Sequence, residues 1–276
     1  MNDIITQLQQ YRFIFTASPG RCGTCLLANL FNLIPSICAE HEPTPYIDNI
    51  WWRLRTQPQL AKTWLLQTKL PSILKRLKGS DSNVYIETSH MLCKGFFEPL
   101  IDLDIPFDLI ILSRDYHKVA LSMYDLNDIP ERTKTGRRWY FMPSDQGCIS
   151  QLPEEHSSLS DYQMCYWYVL EMSLRQALYY RNWKAAGQTV VQTTLKDILI
   201  KNKFRDLIAD LGLPELDKVD WHNYKTMTYH KVNEKRARKS LMRSKGKTQF
   251  LLSNCPEQRK EVEELINYEV LMQKIR

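Results

Sequence analysis

The sequence predicts an α/β protein with a mostly parallel central sheet and helices on both faces. Residues 109–112, Leu-Ile-Ile-Leu, are apolar at every position, which is typical of a parallel strand buried on both faces. The shorter apolar run at residues 13–15 leads into a glycine-bearing turn, after which apolar residues recur at helical spacing from Leu26 to Ile34. Strand, tight turn and amphipathic helix in this order form the building unit of parallel α/β folds.

Length and composition predict one domain over residues 1–276. The chain has 276 residues, of which 43% are hydrophobic, and this is enough for a sizeable core. No apolar run is long enough to span a bilayer, and residues 1–10, MNDIITQLQQ, lack the features of a signal peptide. The seven cysteines are scattered and odd in number, which favours reduced thiols over a disulfide framework. We therefore expect a cytoplasmic protein without stable membrane insertion.

Residues 18–24, Ser-Pro-Gly-Arg-Cys-Gly-Thr, connect the first predicted strand to the first predicted helix. Gly20 and Gly23 allow a tight turn and a close approach of the backbone to a ligand. The free N–H groups of the first helical turn point toward that ligand, and Arg21 adds a full positive charge. This stretch, the anion loop, is therefore predicted to bind an anion.

Three interpretations of the anion loop differ in the chemistry that they assign to it. A nucleotide-triphosphate loop requires GxxxxGK[ST], and the absence of Gly-Lys-Ser or Gly-Lys-Thr here excludes an ordinary ATPase or kinase. Cys22 and Cys25 form a CxxC at a strand-to-helix turn, as in a thioredoxin-like oxidoreductase. Without a second ligand pair, this CxxC does not predict structural zinc. The third interpretation is a cradle for a phosphosulfate group.

The anion loop and its apolar helix resemble the 5′-phosphosulfate-binding loop of sulfotransferases. Arg21, Gly23 and Thr24 match the family pattern, whereas Cys22 and Cys25 stand where the family has hydroxyl residues. The resemblance implies a P-loop-like fold and a donor, 3′-phosphoadenosine 5′-phosphosulfate (PAPS), that leaves as adenosine 3′,5′-bisphosphate (PAP). It also implies that all five residues contact the donor, the two cysteines through their backbone N–H groups. These residues require no metal.

A second motif follows the strand at residues 109–112. Arg114 stands at the carboxyl end of that strand, where ligands bind in open α/β sheets, and Ser122 lies on the helix that follows. The pair resembles the sulfotransferase motif in which an Arg and a Ser hold the 3′-phosphate of the donor. Taken without the resemblance, the pair would be a surface arginine and an ordinary helical serine. An oxidoreductase interpretation does not account for either residue.

Two candidate bases follow other predicted strands. The stretch at residues 40–43, Glu-His-Glu-Pro, is on its own an ordinary polar loop, with a metal site or a base as alternatives. Carbohydrate-type sulfotransferases carry a Glu-Pro at a similar offset from their phosphosulfate loop, so the resemblance implies that Glu42 is the catalytic base. His90 follows the predicted strand at residues 84–86, where cytosolic sulfotransferases carry a Thr-His. The resemblance therefore implies His90 as the second candidate.

The remaining segments supply candidates for acceptor binding. The pattern predicts helices over residues 46–80, 161–183 and 204–213, a strand over 188–193, and a loop-rich region over 125–160. Side chains expected near the transferable group are Glu40, Glu42, Trp51, Trp52, Trp139 and Tyr140, although paired tryptophans are also common in cores. Carboxylates and aromatic rings suit polar or cationic groups. The resemblance implies a sugar or a nitrogen-rich natural product as acceptor, such as a saxitoxin-type guanidinium alkaloid, sulfated on oxygen or nitrogen.

The net charge of +6 is concentrated in one segment, residues 231–247. The basic segment at 228–250 is loosely similar to the cofactor-covering loop of sulfotransferases, and this similarity implies that Lys245, Gly246 and Lys247 contact the 3′-phosphate. The alternatives are a solvated face or a nucleic-acid-binding surface. We expect a small-molecule acceptor and no nucleic acid as partner, and the sequence makes no prediction of oligomeric state.

Overall fold

The computed structural model of the chain describes residues 2–46, 54, 57, 59–145, 147–213, 218–229 and 247–276. Its strands are β1 at Arg12–Ala17, β2 at Ile37–Glu40, β3 at Val84–Glu87, β4 at Asp108–Ser113 and β5 at Val190–Thr194. They form a five-stranded sheet in the order β2-β3-β1-β4-β5, in which every neighbouring pair is parallel. The predicted α/β class with a parallel sheet is confirmed.

Helices precede, connect and follow these strands. The α-helices are α1 Asn2–Leu8, α2 Thr24–Phe31, α3 Gln59–Trp64, α4 Leu70–Lys78, α5 Phe97–Asp102, α6 Tyr116–Asp125, α7 Lys134–Trp139, α8 Asp161–Ala185, α9 Lys201–Asp210, α10 at 221–229, α11 Lys247–Leu265 and α12 Tyr268–Ile275. A π-helical turn at Leu65–Lys69 joins α3 to α4. Short 3₁₀ turns lie at Glu154–Ser158 and Asp197–Leu199. None of these described helices is long and apolar enough to cross a bilayer.

Burial explains why the central strands lack an alternating pattern. Every residue of β3 and all but the first of β1 are buried, as are the four apolar residues of β4. Side chains on both faces of these strands are therefore covered, as expected for a parallel sheet. On one face Phe15 packs edge-on against Phe107, which stacks on Trp183 of α8 at 4.3 Å.

The strand order creates a crevice at the carboxyl edge of the sheet. The chain leaves β1 through α2 toward β2 on one side, whereas it leaves β4 toward β5 on the other. The crevice outside such a topological switch point is where open α/β sheets bind ligands. The anion loop follows β1 and Arg114 follows β4, so both predicted binding elements border this crevice.

Helix α8 is the long buried helix that the sequence predicts, extended to Ala185. It begins with a capping box, in which the Ser160 side chain accepts from the Gln163 N–H and the Gln163 side chain accepts from the Ser160 N–H. Two details differ from the sequence prediction. The loop-rich region contains the short helix α7, capped by Thr133, and α9 begins at Lys201 rather than at Phe204.

Candidate functional site

The anion loop has the backbone geometry of an anion cradle. Gly20, Arg21 and Gly23 have positive φ values of 86°, 56° and 91°. The first hydrogen bond of α2 runs from the Leu27 N–H to the Gly23 carbonyl, so the N–H groups that precede Leu27 in the helix have no intrahelical partner. Turns of this kind and a free helix N-terminus both present N–H donors to an anion.

Neighbouring elements hold the anion loop in place. The buried Ser18 hydroxyl accepts a hydrogen bond from the Gly20 N–H at 3.2 Å. The Tyr168 hydroxyl, from the buried part of α8, donates to the Pro19 carbonyl at 3.0 Å. Thr88, which follows β3, donates to the Thr24 carbonyl at 2.8 Å. The loop is therefore fixed from two directions before any ligand binds.

Arg21, Arg114 and Ser122 lie together in the crevice. Arg114 Nη1 donates to the Arg21 carbonyl at 2.8 Å, and Arg21 Nε donates to Ser122 Oγ at 3.2 Å. Asp115, which follows Arg114, accepts from the Lys118 N–H as the N-cap of α6. Among the described residues neither arginine is in direct contact with a carboxylate, so the two guanidinium charges in the crevice are neutralised only from a distance, as by Asp115. Such an arrangement favours a polyanion.

The two cysteines of the CxxC differ in environment. Cys22 is fully buried in the hydrophobic core, whereas Cys25 is exposed. Burial raises the pKa of the Cys22 thiol to about 12, against a smaller opposing effect of the Ser18 hydrogen bond. A redox CxxC requires a low-pKa, accessible thiolate, so Cys22 lacks the property on which the oxidoreductase interpretation depends.

Glu42 and His90, the two candidate bases, form a pair. Glu42 Oε1 lies 2.8 Å from His90 Nδ1 and 4.0 Å from His41 Nε2. His41 Nδ1 is in turn 2.8 Å from the Thr88 carbonyl. The pair borders the anion loop, because a Cβ added at Gly20 would meet His90 Nδ1 at 3.4 Å. The carboxyl ends of β2 and β3 thus bring both candidates to the edge of the anion loop.

The pair has one negative charge at neutral pH. Burial raises the pKa of the Glu42 carboxyl, but the hydrogen bond from His90 and the neighbouring positive groups outweigh it and lower the pKa to about 2. Burial and the Lys94 ammonium lower the pKa of His90 to about 4, although Glu42 opposes the shift. Glu42 is then a carboxylate that accepts the Nδ1–H of a neutral imidazole. His90 Nε2 is buried without a hydrogen-bond partner in the described part of the chain.

Aromatic rings and a buried lysine enclose His90. Its ring stacks on Tyr140 at 6.2 Å and meets Trp139 edge-on at 6.3 Å. Lys94 is fully buried, donates to the Trp139 carbonyl, and places Nζ 4.6 Å from the centre of the Tyr140 ring. A rigid surround of this kind keeps the imidazole in the orientation that serves Glu42.

A mostly apolar cavity opens beside Glu42. Its free volume of about 60 Å³ is several times what one water molecule occupies. Apolar side chains that line it include Phe15, Tyr46, Trp64, Leu65, Met91 and Phe96, and Trp139 lines it next to Glu42. We call it the acceptor cavity. Glu42 lines it, whereas His90, which contacts Glu42, does not.

Other residues predicted for the site have different positions. Glu40 pairs with Arg76 at 2.9 Å and lies 3.2 Å from the Tyr85 hydroxyl, so it belongs to an ionic cluster and does not line the acceptor cavity. Trp51, Trp52, Lys245 and Gly246 lie outside the described residues. Lys247 begins α11, and the structure describes only its backbone. In the described part of the chain, no cluster of His, Cys, Asp or Glu is placed to hold a metal ion.

Comparisons with known proteins give little direct guidance. No protein-family model matches the chain, and no curated protein matches it. Among solved structures, the sulfotransferase domain from the curacin biosynthetic pathway is similar. The match has a TM-score of 0.43 and 13% sequence identity, and it covers 76% of each chain. A likeness of this degree assigns no function, so the interpretation depends on the geometry of the site.

Three buried charged residues of the site escape the sequence analysis. Lys94 contacts the aromatic surround of His90, and Lys69 and Glu87 form an ion pair at 2.9 Å in the wall of the acceptor cavity. Lys69 occurs in a helical stretch that also carries exposed lysines, so its burial has no signature in the sequence. Glu87 offered one signal, since it ends a strand whose other residues are apolar or aromatic.

Proposed function

We propose that the protein is a sulfotransferase that moves the sulfuryl group of PAPS to a small-molecule acceptor. One observation carries this proposal: Arg21 of the anion loop and the neighbouring Arg114, which form no ion pair among the described residues, share one edge of the sheet with a Glu42–His90 pair that borders an acceptor cavity. Sulfuryl transfer needs two adjacent parts, a cradle for an anionic donor and a proton acceptor for the nucleophile. Neither part alone specifies the reaction.

The residues fit a nucleotide with phosphate groups at both ends. The anion loop offers backbone N–H donors and Arg21 for the 5′-phosphosulfate. Arg114 and Ser122 lie on the β4 side of the crevice, and we assign the 3′-phosphate to them because a guanidinium and a hydroxyl can both donate to it. A side chain at position 23 would collide with Leu195, since an added Cβ lies 2.5 Å from Leu195 Cδ1. Glycine at this position keeps the cradle open.

The chemistry follows from charge and proton movement. The sulfur forms a bond to the acceptor oxygen or nitrogen while its bond to the bridging oxygen breaks, and PAP departs with the negative charge. Arg21 and the N–H groups of the loop stabilise that developing charge. Glu42 takes the acceptor proton, with His90 positioning its carboxylate through the Nδ1–H. An acceptor that fills the cavity removes water from Glu42, which raises the pKa of the carboxyl and makes it a stronger base.

The finer assignments of donor and acceptor are part of this proposal. The sequence resemblance favours PAPS as donor and implies a sugar or guanidinium compound as acceptor, an implication that the mostly apolar lining of the acceptor cavity opposes. The nucleic-acid-binding alternative depends on residues 231–247, of which 231–246 lie outside the described residues. The oxidoreductase alternative is disfavoured by the buried, high-pKa thiol of Cys22.

Ligand-induced stabilisation tests the donor assignment. We expect PAP to raise the melting temperature far more than ATP, because ATP lacks the 3′-phosphate that the proposal assigns to Arg114 and Ser122. A ligand at about a hundred times its dissociation constant adds roughly 2.7 kcal/mol of stability. Arg114→Ala should weaken PAP binding by about 1.5 to 3 kcal/mol, the value of a charge-assisted hydrogen bond.

The matched control for Arg114→Ala is Arg205→Ala, which changes an exposed arginine on α9. PAP affinity should be unchanged in that variant. Equal stabilisation by PAP and ATP, or full PAP affinity in Arg114→Ala, would contradict the proposed donor site.

A further inference from the structure

The acceptor cavity contains a polar pair that sulfuryl transfer does not require. Lys69 Nζ lies 2.9 Å from Glu87 Oε2, and both side chains line the cavity among apolar neighbours. The side chains are only 9% and 10% exposed. Burying two charges costs free energy that their mutual attraction offsets only in part. Their position in the cavity wall therefore points to recognition of a ligand.

The hydrogen-bonding capacity of the pair is only partly used. The Tyr85 hydroxyl donates to Glu87 Oε2 at 2.9 Å, the same oxygen that Lys69 contacts. Among the described residues, no hydrogen bond occupies Glu87 Oε1. An ammonium has three donors, and Glu87 takes one of those on Lys69. The pair thus retains an acceptor and donors for a ligand group that both donates and accepts, namely a hydroxyl or a primary amide.

The local helix geometry places the lysine in the cavity. Lys69 is the last residue of the π-helical turn Leu65–Lys69, and both end residues of that turn line the cavity. Segments of π-helix are rare and frequently occur at functional sites. Lys75, one turn and a half further along the continuing helix α4, is exposed to solvent. The helix thus buries one lysine at the cavity and leaves others in water.

We propose that Lys69 and Glu87 select a neutral acceptor with an apolar body and a second hydroxyl or amide group distant from the sulfated one. The apolar walls disfavour a sugar, whose hydroxyl groups would lose their hydrogen bonds to water. Lys69 and Glu87 neutralise each other, Glu42 repels a carboxylate, and the apolar walls make desolvation of a guanidinium ion costly. This inference rests on the proposed function, because it assigns the acceptor of the same reaction.

The test compares two alcohols that differ only in the second hydroxyl, together with one sugar and one guanidinium compound. With PAPS as donor, we would measure sulfation of hexan-1-ol, hexane-1,6-diol, glucosamine and agmatine by mass spectrometry. The diol should exceed the mono-alcohol by at least about tenfold in kcat/KM, because a site built to hydrogen-bond a hydroxyl rejects the analogue that lacks it. Both alcohols should exceed the sugar and the guanidinium compound.

The double variant Lys69→Met with Glu87→Gln removes both charges together, which avoids an unpaired buried charge. It should retain PAP affinity, and its ratio of kcat/KM for the diol to kcat/KM for hexan-1-ol should fall to roughly one, whatever its absolute activity. Lys75→Met, an exposed lysine on the continuing helix, should keep the preference of the parent.

The outcomes separate the two proposals. If PAP fails to stabilise the protein, both the proposed function and the acceptor assignment that depends on it are overturned. If PAP binds but the diol shows no advantage, or only glucosamine or agmatine is sulfated, the acceptor assignment alone is overturned. Sulfation of none of the four compounds, with PAP still bound, overturns it as well, as does a double variant that keeps the diol preference.

Discussion

Arg21 and Glu42 share an uncommon backbone conformation. Their φ values are 56° and 47°, in the left-handed region that residues other than glycine seldom adopt. Such positions cost free energy and persist where the surroundings fix them, often at functional sites. Here Arg114 holds the Arg21 carbonyl and His90 holds the Glu42 carboxylate. Two residues with separate roles in the proposed reaction are thus fixed by hydrogen bonds from neighbouring loops.

Replacement of either member of the Glu42–His90 pair tests which one takes the proton. Glu42→Gln keeps the shape and removes the base, so turnover should fall by about a hundredfold or more while PAP affinity stays nearly unchanged. His90→Asn keeps an N–H donor for Glu42 and should lose less activity. Steady-state kinetics and PAP titration measure both effects. A larger loss in His90→Asn than in Glu42→Gln would assign the proton transfer to His90.

The sequence predicts Glu42 and His90 as candidate bases, but it does not predict that their side chains are in contact. Glu42 and His90 follow different strands, and nothing in the local pattern shows that β2 and β3 are neighbours. The parallel pairing of β2 with β3 brings the two loops together, so candidates that the sequence treats as alternatives become one pair. Lys94 stayed unpredicted for a related reason, since its burial depends on aromatic rings from α8 and the region after α7.

At the scale of elements, the anion loop depends on glycine at one position for two reasons. Gly23 has a φ of 91°, and an added Cβ would lie 2.5 Å from Leu195 Cδ1. Gly187 also has a positive φ, 70°, but an added Cβ there meets nothing within 4 Å. A comparison of substitutions at the two glycines therefore separates backbone strain, which both positions share, from steric conflict with Leu195, which only position 23 has.

Gly23→Ala and Gly187→Ala should both lose stability, by about 1 to 3 kcal/mol, from strain in the left-handed conformation. Only Gly23→Ala should also weaken PAP binding, because Leu195 and the loop must shift apart. Chemical denaturation and PAP titration check the two effects. Adding Leu195→Ala to Gly23→Ala should restore part of the affinity. Equal PAP affinity in the two single variants would remove the anion loop from the donor site.

Elements with a purely local signature are the ones that the sequence predicts well. The apolar run of β4 and the helical spacing of α2 reflect burial that each element shows on its own, and the long aromatic-rich sequence of α8 indicates a buried helix. The π-helical turn at Leu65–Lys69 has no such signature in the sequence, although both of its end residues line the acceptor cavity. The short helix α7 also lacks a local signature. It packs so closely on the Ile129 carbonyl that an added Cβ at Gly136 would overlap it, and this contact is not visible in the sequence of the helix itself.

At the scale of the whole molecule, the core and the candidate site are connected through α8. Tyr168 donates to Pro19 in the anion loop, and Gln176 donates to the carbonyls of Ala17 and Leu112 at 2.8 and 3.0 Å. The latter two residues lie at the ends of β1 and β4, the strands that border the crevice. A buried helix thus holds together the strand ends from which the donor-binding residues extend.

Two tyrosines of α8 allow a matched test of that connection. Tyr168→Phe removes the hydroxyl that donates to the loop, whereas Tyr179→Phe removes a buried hydroxyl that contacts Glu98, away from the loop. Both changes should lower the free energy of unfolding by about 1 kcal/mol, the net value of one hydrogen bond. Only Tyr168→Phe should weaken PAP binding, by roughly fivefold if the loop loses support of that size.

Denaturant unfolding and PAP titration on the same preparations measure the two quantities separately. A general loss of rigidity would weaken PAP binding equally in both variants, since both hydroxyls are buried on one helix. If the Tyr168 hydroxyl specifically positions the anion loop, PAP binding should weaken in Tyr168→Phe alone. Unchanged PAP affinity in Tyr168→Phe, with the expected loss of stability, would show that α8 supports the core without positioning the anion loop. The loop would then owe its geometry to Ser18, Thr88 and its own glycines.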